Sequence, residues 1–174
     1  MAKRAVRLAL LAALLAALAA PGATAERQTI GYIENVRIHP GGIVFRAKID
    51  TGALTSSLHV SDLVEFQRDS KSWLRFTVAN KAGTAHTIEL PVARIANVKR
   101  AGTAIQERYV VKLGICLGRV FVETDVNLSD REGMNYQMLI GRRVLGDRFL
   151  IDVSKKDLTA PECPQEPKTV VPKK

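Results

Sequence analysis

The sequence predicts an all-β domain with one short helix. Three observations carry that prediction: apolar runs with strand-like alternation, turn signals between them, and one short place where a helix fits. The first 25 residues stand outside the domain. Lys3, Arg4 and Arg7 precede an unbroken apolar run from Leu8 to Ala20, and Ala23-Thr24-Ala25 offers a small-residue cleavage site. This is the three-part pattern of a secretory signal peptide. The apolar run is shorter than the ~20 residues a membrane-spanning helix needs. The expected division is therefore a signal peptide over 1–25, a folded domain over 26–154 and a Pro/Lys-rich disordered tail over 155–174.

Taken in order, Ile30 to Ile38 alternates loosely and Pro40-Gly41-Gly42 turns the chain. Ile43 to Ile49 then pairs back as a hairpin and ends at Asp50. Ser56 to Phe66 fits a strand or a short helix. Trp73 to Val78 is a strand, Asn80-Lys81-Ala82-Gly83 a turn, and Thr87 to Leu90 its returning partner, closed by Pro91. Val92 to Val98 and Ile105 to Leu113 flank a small-residue tip, Arg100 to Ala104. Val120 to Leu128 follows the turn Leu117-Gly118-Arg119. Met138 to Ile140 is a short apolar strand closed by Gly141, Arg142 to Leu145 forms the brief helix, and Phe149 to Val153 is the last strand. The enrichment in proline and lysine after Pro161 argues for an extended tail. The chain shows no internal repeat and no second domain.

The formal charge is +9, falling to +6 once Lys3, Arg4 and Arg7 leave with the signal peptide. Scattered basic residues without interleaved aromatics do not make a nucleic-acid surface. A mildly basic surface suits acidic peptides or an anionic envelope instead. Cys116 lies in an apolar run and Cys163 in the tail, and the two are read as unpaired. His39, His59 and His86 are far apart and outside any zinc-ligand spacing. No phosphate-binding glycine loop is present.

Asp50-Thr51-Gly52 at the end of a strand is how aspartic peptidases present a carboxylate. Gly52 is expected to allow a tight turn with unusual backbone angles, and Thr51 to hydrogen-bond a neighbouring copy of the loop. The plain alternative is a turn Asp that bonds its own loop. Leu139-Ile140-Gly141-Arg142, far downstream, makes the motif specific. With Ala47 to Ala53, Thr55 to His59 and Val126 to Arg131, it gives a resemblance to the retropepsin-like aspartic peptidases. The resemblance is closest to a bacterial group long labelled putative ATP-dependent zinc protease, and it spans about Gly31 to Val153.

That resemblance implies a single-lobe β-barrel working as a homodimer, because two carboxylates must share one proton and this chain offers one Asp-Thr-Gly. The implied site is catalytic Asp50 in the loop Thr51, Gly52 and Ala53. A strand beneath it holds Leu139, Ile140 and Gly141, whose glycine lets two backbones approach. Arg142 is expected to pair with a carboxylate near the interface. The flap is either the hairpin tipped at Asn80 to Gly83 or the one carrying Ala101, Gly102 and Thr103; counting back from Gly118 favours the second. Ala53 cannot donate to Asp50, so near-neutral working pH is expected. Asp130 and Arg131 read equally as structural or substrate-contacting. Glu34 and Asp152 are read as solvated strand positions.

The expected function is an exported aspartic endopeptidase that hydrolyses peptide bonds through a water activated by an Asp dyad shared across the homodimer. The alternatives are a non-catalytic peptide-binding module and a zinc-dependent peptidase. No cofactor or metal is called for. The partners expected are a peptide or protein substrate and a second copy, with neither nucleic acid nor stable membrane insertion. The location expected is the periplasm of a Gram-negative bacterium.

Overall fold

A computed structural model describes residues 26–98 and 105–164. The proposed signal peptide and the small-residue tip at 101–103 lie outside the described residues. The loose run from Ile30 to Ile38 divides at Tyr32 into β1 (Gln28–Gly31) and β2 (Ile33–His39). A turn with Gly41 and Gly42 at φ of 107° and 67° leads to β3 (Val44–Ile49), antiparallel to β2. Such left-handed angles favour glycine at both positions. Along β3, Phe45, Ala47 and Ile49 point into the core, while Val44, Arg46 and Lys48 face outward. That alternation delivers Asp50 at the strand's end.

The ambiguous run Ser56 to Phe66 is two strands, β4 (Ser56–His59) and β5 (Ser61–Arg68), broken at Val60. β6 (Lys71–Ala79) and β7 (Ala85–Pro91) join β5 in an antiparallel three-stranded sheet. Leu74, Phe76, Val78 and Ile88 from this sheet pack onto the main core. β8 (Arg94–Val98), β9 (Gln106–Leu117) and β10 (Val120–Ser129) follow as antiparallel neighbours. β11 (Met138–Ile140), helix α1 (Arg142–Leu145) and β12 (Phe149–Asp152) complete the chain.

Six strands close a barrel in the order β10, β4, β11, β3, β2, β9 and back to β10, with β8 appended to β9. Closure removes the exposed edges that an open sheet would present. The fold is therefore the single-lobe retropepsin-like barrel expected. β11 is only three residues long, yet it is parallel to β3 and antiparallel to β4. It fixes the end of β3 relative to the start of β4, and the Asp50 loop spans that gap. β1 pairs in parallel with β12 outside the barrel.

Three expectations are corrected at the C-terminal end. The stretch 155–164 is not a disordered tail, because it binds the barrel along β2. Tyr32 N–H donates to Lys155 O (2.9 Å), Asp157 N–H to Ile33 O (2.8 Å), and Arg37 to Pro161 O. Cys116 and Cys163 are not unpaired; they form a disulfide with Cα atoms 5.8 Å apart. Glu34 is not solvated but buried. Its carboxylate accepts from Gly31 N (2.5 Å), Leu158 N (3.0 Å), Thr159 N (2.9 Å) and Thr159 Oγ1 (3.0 Å). A buried carboxylate persists because these donors replace its water. Asp152 ends β12 by accepting from Ser154 N and Oγ, which lowers its pKa.

Candidate active site

Asp50 is positioned from below and behind. Its N–H donates to Ile140 O (2.9 Å), and its carbonyl accepts from Ala53 N (3.3 Å). Its Oδ1 accepts from Gly52 N–H (3.1 Å), so the carboxylate also braces its own turn. Thr51 and Gly52 are exposed and Ala53 is half-buried. Gly52 does not adopt a left-handed conformation. A side chain there would instead sit 3.3 Å from Asp50 Oδ1.

Helix α1 grips the loop by its carbonyls. Arg142 N–H donates to Ala53 O (2.9 Å) and Arg143 N–H to Leu54 O (3.0 Å). Arg142 Nη1 donates to Thr51 O (2.7 Å) and Gly52 O (2.9 Å). Within this chain Arg142 thus meets carbonyls rather than a carboxylate: the tight turn aims two carbonyls at the helix start, where one guanidinium reaches both. Gly141 makes the approach possible. A Cβ there would lie 2.7 Å from the Thr55 carbonyl carbon, and Ser56 Oγ already accepts its N–H (3.0 Å). Leu139, the outward residue of β11, lines the cleft beside Asp50, while Ile140 is buried.

That cleft, ≈ 540 Å³, is lined by Tyr32, Lys48, Asp50, Met134, Tyr136 and Leu139 among others. Asp50 is the one carboxylate lining it among the described residues. Lys48 went unremarked in the sequence, although the alternation of β3 places it two residues before Asp50 on the outward face. The wall formed by the loop after β10 is braced from within. Arg131 is buried, its N–H donates to His59 Nδ1 (2.8 Å), and its Nε donates to Tyr136 O (3.1 Å). Arg131 and His59 therefore shape the wall. Asp130 is exposed and accepts from Glu132 N (2.8 Å). Of the two flap candidates, Asn80 to Gly83 forms a turn held by Asn80, whose Nδ2 donates to Val44 O (3.0 Å).

A second network ties α1 to the strands behind it. Asp125 on β10 is buried and accepts from Arg94 Nε (3.1 Å), Lys112 Nζ (2.7 Å) and Arg143 Nη1 (2.6 Å). The Lys112 bond, followed by those of Arg94 and Arg143, holds its carboxyl below the usual range against the opposing cost of burial. A depressed carboxylate pKa adds stability above the unfolded value near ~3.9, and that stability is lost as pH falls through the folded value. Asp125→Asn is expected to cost about 1–2 kcal/mol at pH 7, because its three partners are partly exposed and screened. Urea titrations at pH 7 and pH 3 check this: the gap between variant and wild type should shrink at the lower pH.

A family model described as "Retropepsin-like aspartic endopeptidase RimB" matches residues 29–162. A probable alpha-L-glutamate ligase of Parasynechococcus marenigrum (strain WH8102) is 34% identical over 110 residues, covering 62% of this chain and 24% of the ligase. A probable alpha-L-glutamate ligase of Shewanella halifaxensis is 32% identical over 113 residues, covering 63% and 25%. The chain thus spans about a quarter of the length of the curated relatives it matches. A crystal structure of a Legionella pneumophila protein of unknown function is 29% identical with a TM-score of 0.68, covering 78% of this chain and all of that one.

These relatives correct the function expected from sequence. An exported endopeptidase acting generally on peptide bonds is not what they are named for; the curated proteins sharing this domain carry the name of a ligase.

Proposed function

Since this chain belongs to the RimB-like family of retropepsin-like aspartic endopeptidases, we propose that it is an aspartic-type enzyme dedicated to α-glutamyl peptides. The observation that carries this reading is the pairing of Asp50 and Lys48 in one cleft. Asp50 offers a carboxylate for proton transfer, and Lys48 offers an ammonium to a substrate carboxylate on the same face of β3. The recurrence of the domain in chains named alpha-L-glutamate ligase supports glutamate as the acidic residue.

Proton transfer of this kind uses two carboxylates of unlike pKa. We place the second on another copy of the chain, Asp50 meeting Asp50 about a two-fold axis. The exposed loop supports this, because Thr51 and Gly52 are open to a partner. The Cys116–Cys163 disulfide supports an oxidising compartment, in keeping with a periplasmic location.

The test compares an α-glutamyl peptide with its glutaminyl counterpart by mass spectrometry, using wild type and Lys48→Glu. Lys48→Glu should lower kcat/KM for the glutamyl peptide by about 10-fold or more, as one desolvated charge pair is lost and a repulsion gained. Turnover of the glutaminyl peptide should be slow and unchanged. Equal turnover of both peptides by wild type would contradict the reading.

A further inference from the structure

The Asp50 cleft does not end at Lys48. A second cleft of ≈ 370 Å³, lined by Arg46, Asn80, Lys81, Asn135, Tyr136 and Gln137, shares Asn135 and Tyr136 with it. Among the described residues lining the two clefts, Asp50 is the sole acidic side chain. Lys48 and Arg46 are successive outward residues of β3, and Lys81 sits at the tip of the β6–β7 hairpin beyond them. Two residues along a strand advance about 6.8 Å, with both side chains on one face. An extended peptide has the same repeat.

We propose that the second cleft is a further subsite for an acidic side chain of an extended peptide, two residues away from the one Lys48 receives. Lys81 supplies its positive charge. Asp157 takes one bond each from Nε and Nη2 of Arg46 (3.1 and 2.7 Å), which leaves the N–H groups of Nη1 and the second of Nη2. The side-chain amides of Asn135 and Gln137 add polar groups able to hold a carboxylate. The subsite therefore reads a repeat, acid at every second residue, rather than a single glutamate. This rests on the α-glutamyl reading of the Asp50 cleft and extends it to chain length and pattern.

Asp50→Asn protein should be titrated with two fluorescein-labelled hexapeptides of equal charge, Glu-Gln-Glu-Gln-Glu-Gln and Glu-Glu-Gln-Gln-Glu-Gln, the second with no two acids at a spacing of two, and with all-Gln as the neutral control. The alternating peptide should bind about 5–10-fold more tightly. Adding Lys81→Glu on the exposed hairpin tip should abolish that preference and leave the melting temperature unchanged. If the two acidic peptides bind alike and Lys81→Glu alters neither, the second subsite is overturned while the Lys48 reading stands. If neither acidic peptide binds more tightly than all-Gln, the glutamyl reading falls, and the subsite with it.

Discussion

Asp50→Asn is expected to lower turnover of an α-glutamyl peptide by about 10²–10⁴-fold, the range a positioned acid–base group contributes. The melting temperature should stay within about 2 °C of wild type. The reason lies in the bonds Asp50 makes. Its N–H on Ile140 O and its carbonyl under Ala53 N are main-chain bonds that the substitution leaves alone. The Gly52 N–H on Oδ1 is kept as well, because an asparagine Oδ1 accepts in the same place. What the variant loses is the ability to give and take a proton. Parallel kinetics and thermal melting separate this from a turn Asp: a residue that merely shapes its loop would tolerate Asn with little loss of rate.

Cys163→Ala should cost about 4 kcal/mol of stability and leave the rate per folded molecule unchanged. The disulfide closes a loop of 47 residues, and the chain-entropy model gives about that figure for a loop of this length. Cys163 is the better partner to replace, since Cys116 is buried and its loss would also disturb the core. Around the bridge, Glu162 N–H donates to Gly118 O (2.7 Å), and upstream Glu34 holds Leu158 and Thr159. These contacts keep the segment seated in the native state, so the loss acts through the freer unfolded chain. Urea unfolding of the variant and of wild type under reducing conditions should give matching midpoints. A shift below about 1 kcal/mol in both would show that the Glu34 anchor alone secures the segment.

The parts of the molecule that were legible in the sequence are those written in short-range chemistry. Asp50-Thr51-Gly52 is a turn at the end of an alternating strand, and Gly141 marks a close approach of backbones. Both signals are local, and together they placed the loop, the strand beneath it and the barrel. The parts that were not legible depend on partners far along the chain. Glu34 looks solvated among its neighbours on β2; what buries it is Leu158 and Thr159, more than 120 residues later. The disulfide spans 47 positions and appears only once the last segment is laid along the barrel. Arg142 was legible as a support, but its acceptors were not, because two carbonyls present themselves only after the Asp50 turn has formed. Lys48 was in plain view, and the period of two that buried Phe45, Ala47 and Ile49 would have placed it beside Asp50.

The central claim is that a retropepsin-like site opens α-glutamyl bonds with Asp50 as its acid–base group. It is tested most directly by incubating the protein with an oligo-α-glutamyl peptide in ¹⁸O-labelled water, without ATP, and weighing the products. The account predicts shortened peptides with one ¹⁸O in the newly formed carboxylate, and none from Asp50→Asn. An intact peptide in both samples, or equal shortening by the variant, would contradict it.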